Sequence, residues 1–169
     1  MEKTAKFEKV SLQRFQQDLE KVCPWFDEAQ SLRMYESIRL PVRATKGSAG
    51  YDFFLPFDLE LAPQETIRIP SGIRCRMTPG WVLMLFPRSS LGTRYGLALD
   101  NTVGIIDADY YEADNEGHIL IQLTNHSREQ KLQLQQAAAY VQGIFLPFGI
   151  TEDDDAVKKR IGGFGSTGS

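Results

Sequence analysis

The sequence predicts an all-β fold of many short strands, a sandwich, jelly roll or small barrel, carrying a helical segment near its N-terminus. Three observations carry this. From Ile38 onward, Pro41, Pro56, Pro63, Pro70, Pro79 and Pro87 arrive at intervals too short for long helices. Between them, apolar and charged residues alternate with the period of two of a half-buried strand. Residues that favour turns separate the apolar runs.

Phe7 to Val10 reads as a first strand. Leu12, Phe15, Leu19 and Val22 then follow at spacings of three, four and three, one apolar helical face, with Ser11 as N-cap and Pro24 as the stop. A second helix is expected from about Trp25 to Ser37, with Trp25, Ala29 and Leu32 on one face. Together, 11–37 form a helical hairpin that interrupts a strand continuing at Ile38. Ile67 and Ile69 flank Arg68, and Ile73, Cys75 and Met77 interleave with Arg74 and Arg76, so both stretches are expected as strands. Trp81 to Phe86 is continuously apolar and predicts a strand buried on both faces. Further strands are expected at His118–Thr124, Lys131–Gln135 and Ala139–Leu146. An acidic run, Glu152 to Asp155, then precedes Lys158, Lys159 and Arg160, and the glycine-rich Gly162–Ser169 reads as a flexible arm.

A chain of 169 residues with 42% hydrophobic and 24% charged residues has the size and composition of one folded domain. The net charge of -3 offers no overall attraction for a nucleic acid backbone, so any phosphate binding must be local. Cys23 and Cys75 have no paired spacing, and His118 and His126 complete no ligand pattern, which excludes a disulfide scaffold and a structural zinc site. No apolar run is long enough to span a membrane and the N-terminus has no leader-like pattern, so a cytoplasmic location is expected.

Five clusters carry chemistry. In GGFGSTGS the lone aromatic Phe164 can stack on a base, while the surrounding glycines let backbone amides approach phosphate. The ending is not a Walker loop, because the Lys-Ser/Thr pair and following helix are missing. In PRSSLG, Arg88 offers a planar fork to a phosphate, with Ser89 and Ser90 beside it, before Gly92 turns the chain. NTVGIIDADY places Asp107 and Asp109 after Ile105 and Ile106, with Tyr110 next to the second carboxylate. AGYD, with Asp52, and YVQGIF, with Gln142, complete the set.

In this order the five clusters resemble the five motifs of the trimeric deoxyuridine triphosphatase (dUTPase) family, over about Ile38 to Ser169. The resemblance implies a jelly-roll β-barrel assembled as a homotrimer, hydrolysing dUTP to dUMP and pyrophosphate with Mg²⁺. Asp107 would orient the attacking water and contact the sugar 3'-hydroxyl. Tyr110 would pack under the deoxyribose and leave no room for a 2'-hydroxyl, and Asn101 would contact uracil. Arg88, Ser89, Ser90 and Gln142 would hold the phosphate chain, with Asp52 near the hydrated metal and no direct protein ligand. Arg160, Phe164, Gly165, Ser166 and Thr167 would form an arm, 151–169 with its linker, that crosses to a neighbouring subunit.

Three features depart from the family pattern: the longer connection Tyr111 to Glu116, Ala139 where an arginine usually precedes Gln142, and the helical segment. Residues 11–37 or 111–116 would be the surface for any further protein partner. The rival enzyme is a dCTP deaminase, which resembles this chain in its PRSS run but would need a glutamate where Gln122 stands, and an amide cannot act as general base. A non-catalytic nucleotide-sensing protein on the same scaffold is the alternative from another class.

Overall fold

The structure is a computed structural model and describes residues 2–157. Strand β1 (Ala5–Lys9) pairs antiparallel with β6 (Ile73–Met77), with Phe7 opposite Cys75. The largest sheet runs β2 (Val42–Arg43), β3 (Tyr51–Phe54), β12 (Ala139–Pro147), β7 (Trp81–Pro87) and β9 (Gly104–Ile106). A three-stranded sheet places β10 (Leu120–Asn125) between β5 (Thr66–Pro70) and β8 (Leu97–Leu99), and β4 (Leu59–Leu61) pairs with β11 (Leu132–Leu134). The sheets enclose a core that includes Phe53, Ile69, Leu83, Leu85, Ile121, Leu123 and Val141. The β-rich architecture matches the predicted texture, and the alternation along β5 and β6 points Ile69, Ile73, Cys75 and Met77 inward.

Helix α1 (Leu12–Val22) begins where Ser11 accepts a hydrogen bond from the Arg14 amide, and buries Phe15, Asp18 and Leu19. Helix α2 (Glu28–Ser37) starts later than the sequence suggested. Asp27 and Gln30 form a reciprocal capping box, which fixes the helix start three residues past Trp25. Its buried residues are Ser31 and Met34, whereas Trp25 and Leu32 are exposed, so the expected Trp25–Ala29–Leu32 face is not the packing face. Three of the four aromatics in this region are used internally. Phe15 packs against Tyr35 and Phe26 against Phe57, leaving Trp25 outside.

The helices do not interrupt a single strand. β1 belongs with β6, while the next strand, β2, starts at Val42 and pairs with β3 in a different sheet, so α1 and α2 connect two sheets. Ile38 caps α2 and enters the core instead of resuming a strand.

Two other expectations are corrected. β7 buries Leu83 and Leu85 on one face, while Val82, Met84 and Phe86 are only half-buried, so its continuous apolar run does not mean burial on both sides. The PRSSLG segment is no turn at Gly92: α3 (Ser89–Tyr95) runs through it and ends at Gly96, whose left-handed φ of 64° suits a glycine cap. No helix among the described residues is long and apolar enough to cross a membrane.

Candidate active site

The residues flagged for phosphate binding meet at one end of the largest sheet. Asp52 on β3 and Gln142 on β12 are direct cross-strand partners, and Gln142 also stands opposite Phe86 on β7. Arg88 follows β7 immediately and its Nε lies 3.3 Å from Asp52 Oδ1. The Arg88 side chain is 40% exposed, so the ion pair adds little stability, and the guanidinium is accessible to an incoming anion. The Gln142 amide lies against the bare backbone of Gly50, where a Cβ would meet its Oε1 at 2.6 Å and the flexible side chain would have to swing aside. The Arg88 carbonyl accepts from the Leu91 and Gly92 amides, and Ser89 and Ser90 lie exposed in the first turn of α3. Ala139 faces Phe54 on β3, so no cation stands in that part of β12.

A second group surrounds β9. Leaving β8, the chain turns through Asn101 and Thr102, with Thr102 at a φ of 64°. The Thr102 amide donates to Leu99 O at 2.9 Å. Asn101 and Gly104 line a cleft of about 420 Å³ together with Leu85, Leu99 and Ile121. At the other end of β9, Asp107 precedes a short 3-10 helix, Ala108–Glu112, and lines a shallow hollow with Pro79, Gly80, Asp109 and Phe148. Tyr110 is 2% exposed. Its hydroxyl donates to His118 O and accepts from Asn115 Nδ2, both at 2.7 Å, so the ring is fixed at its far end.

The extended connection after Tyr110 folds back on itself at Gly117. Gly117 has a φ of +68°, and a Cβ there would lie 2.7 Å from Tyr110 O and 2.8 Å from Tyr111 Cα. Both the backbone angle and the contact with rigid main chain oppose any side chain. Gly117→Ala is therefore expected to destabilise the protein by about 1–3 kcal/mol. Thermal unfolding checks this, and an unchanged Tm would refute the tight crossing.

The two groups lie apart within one chain. Asp107 follows Ile106, which pairs with Leu83 on β7, whereas Arg88 stands at the opposite end of that strand. The run from Leu83 to Arg88 covers roughly 17 Å at about 3.3 Å per residue. The structure thus joins Asp52, Arg88 and Gln142, sets Asp107 and Tyr110 beyond one end of β9, and leaves Asn101 before the other end, where Gly104 stands opposite Leu85. Arg160, Phe164, Gly165, Ser166 and Thr167 lie outside the described residues.

Other chemistries fit less well. Both thiols are buried, and burial pushes Cys23 up to about 11 and Cys75 up to about 12, far from nucleophilic use at neutral pH. Gln122 is held at both ends of its amide: its Oε1 accepts from Arg68 Nε and Nη2 at 2.9 and 2.7 Å, and its Nε2 donates to Asp100 at 2.5 Å. Burial works upward on Asp100 and is the largest influence, yet hydrogen bonds from Thr124 and Gln122 prevail and hold its carboxyl below the usual range. Among the described residues no three His, Cys, Asp or Glu side chains gather as a metal cage.

Sequence reasoning missed Asp18, Asn115 and the place of His118. Asp18 lies in the core face of α1 and its Oδ2 is 2.8 Å from His118 Nδ1. The available signal was its position between Phe15 and Leu19 on the apolar stripe, where a carboxylate needs a partner.

Known proteins of one family resemble this chain. The family model for dUTPase matches residues 36–168. A deoxyuridine 5'-triphosphate nucleotidohydrolase of Lactococcus lactis is 42% identical over 135 residues, covering 78% of this chain and 89% of that protein. The enzyme of the same name from Shigella flexneri serotype 5b is 36% identical over 144 residues, with coverages of 80% and 91%. Among solved structures, the dUTPase of Streptococcus mutans superposes with a TM-score of 0.63 at 33% identity, covering 86% of this chain and 98% of that one. A dUTPase from phage phi11 of Staphylococcus aureus, described with a structural Mg(II) ion, shares the fold at a TM-score of 0.64 and 19% identity, with coverages of 92% and 98%.

Proposed function

The chain belongs to the dUTPase family and hydrolyses dUTP to dUMP and pyrophosphate, and we propose that it does so at sites shared between copies of itself. The observation that carries this reading is the separation along β7: the proposed water-orienting Asp107 and phosphate-holding Arg88 cannot serve one triphosphate from a single chain. A ring of three copies brings the β9 group of one chain to the Arg88 group of the next. In this reading the sheets form a jelly-roll β-barrel, and the segment from Arg160 to Thr167 completes a neighbour's site.

Asn101 and the main chain of its turn read uracil, and Tyr110 packs under the deoxyribose. Arg88, Ser89, Ser90 and Gln142 bind phosphate oxygens. Asp107 aims a water at the α-phosphorus and takes one of its protons as the new P–O bond forms; the bond from the α-phosphorus to the bridging oxygen breaks, and the β and γ phosphates leave together with that electron pair as pyrophosphate. Phe164 stacks on the base, Arg160, Gly165, Ser166 and Thr167 engage the terminal phosphates, and bulk water is excluded.

Mg²⁺ fits this setting as a companion of the triphosphate. With one carboxylate, Asp52, beside Arg88, the surroundings suit an ion held by phosphate oxygens and water. When bound it neutralises charge on the phosphate chain. The two buried cysteines are free thiols, in keeping with a cytoplasmic setting.

The test is incubation with Mg²⁺ and, separately, dUTP, dTTP, dCTP and UTP, following pyrophosphate and ammonia. Pyrophosphate from dUTP alone is expected. Ammonia from dCTP would instead mean deamination, and binding without turnover would mean a sensing protein.

A further inference from the structure

The segment before residue 36 lies outside the span matched by the dUTPase model, yet its polar side chains converge on the loop that follows Asp107. Ser11 donates from both its amide and its hydroxyl to the Glu116 carboxylate, at 2.8 and 2.6 Å. Arg14 Nη2 donates to Asp114 O at 3.3 Å. On β1, Glu8 accepts from the Tyr111 hydroxyl at 2.5 Å. Deeper inside, Gly72 N donates to His118 Nε2 at 2.8 Å, so that nitrogen carries no proton and His118 Nδ1 is the donor to Asp18. His118 is fully buried.

We propose that helix α1 positions the sugar side of the active site, acting through Asp18 and His118 on Tyr110. The link is direct: the Tyr110 hydroxyl donates to the carbonyl of His118, whose ring is held between Asp18 on α1 and the backbone of Gly72. Asp18 is suited to this task. Burial works upward on its carboxyl and is the largest influence, but the His118 hydrogen bond and nearby positive charges, including Arg14 and Lys21, prevail and keep it below the usual range. Asp18 and His118 touch no substrate. Their effect passes through ring placement, and a shift of about 1 Å in a positioned group can cost about 10²-fold in rate.

This inference rests on the proposed role of Tyr110 in sugar selection, and its test separates the two. Asp18→Ala, Asp18→Asn and Glu116→Ala are each assayed on dUTP and UTP, with Tm and amide hydrogen exchange across 110–118 measured on the same proteins. Asp18→Ala is expected to lower the dUTP-over-UTP ratio of kcat/KM by about tenfold or more. Asp18→Asn keeps an acceptor for His118 Nδ1–H and is expected to hold that ratio within about threefold of the parent. A lower Tm with an unchanged ratio and KM would overturn the proposal, because a smaller folded fraction lowers both activities equally. Should Asp18→Ala fail to fold, Glu116→Ala decides: a reduced ratio supports the proposal and an unchanged one overturns it. A parent that hydrolyses dUTP and UTP alike would refute the sugar-selecting role of Tyr110. Positioning of the loop by α1 is then read from exchange, faster across 110–118 in folded Asp18→Ala, or in Glu116→Ala in its place, if it holds and unchanged if it fails.

Discussion

Asp107→Asn is expected to lower kcat on dUTP by about 10²–10⁴-fold, the range for loss of a positioned acid–base group. The replacement matches the carboxylate in size, so the turn from β9 into the 3-10 helix keeps its shape. In the proposed mechanism, what disappears is the anion that takes the water's proton and aims its lone pair. Because the group proposed to bind phosphate is built on β3, β12 and the end of β7, KM is expected to stay within about threefold. Steady-state kinetics with a binding measurement on a non-hydrolysable analogue checks both halves. A variant that loses binding and turnover together would mean that Asp107 shapes the pocket and does not drive the chemistry.

Mixing two inactive proteins should restore activity. In the proposed site, Arg88→Ala removes the phosphate fork and Asp107→Asn removes the water's acceptor. In a shared site, an intact Asp107 comes from one chain and an intact Arg88 from its neighbour. Random reassembly of equal amounts therefore gives about one site in four with both groups intact, so about a quarter of parental activity should return. The roughly 17 Å along β7 makes this the larger of the two tests, because a site closed within one chain would gain nothing from mixing. Activity of the mixture no greater than the sum of its parts, with exchange of chains verified by mass, would defeat the shared-site reading.

Much of the fold could be read from the residues because its elements have local causes. Alternation set β5 and β6, the three-four-three spacing set α1, and the prolines excluded long helices from the central region. The start of α2 is also written locally, in the Asp27–Gln30 box, which outweighs the spacing of Trp25, Ala29 and Leu32. Gly92 misled in the opposite sense: glycine favours a turn in isolation, but α3 carries it because Leu91 packs in the core and Gly96 supplies the stop. The two-sided burial expected for β7 came from an apolar run whose second face is half-open in a single chain.

For the candidate site, the types of chemistry were legible and their grouping was not. Arg88, Asp107 and Gln142 stand out by their company in sequence. Which of them meet depends on the register of β7 against β9 and β12, a property of pairing that no single segment carries. Asp18 and His118 are hidden for the same reason, since they are 100 positions apart.

That distance has a bearing on how the protein is made. Asp18 leaves the ribosome well before the residue it must meet, and at about 5–20 residues per second the wait is roughly 5–20 s. Through that interval α1 has its apolar face but no partner for its buried carboxylate, and β1 likewise awaits β6. The segment carrying β1 and α1 is thus synthesised before the residues it pairs with and locks only after they follow, an arrangement of long-range contacts that slows folding.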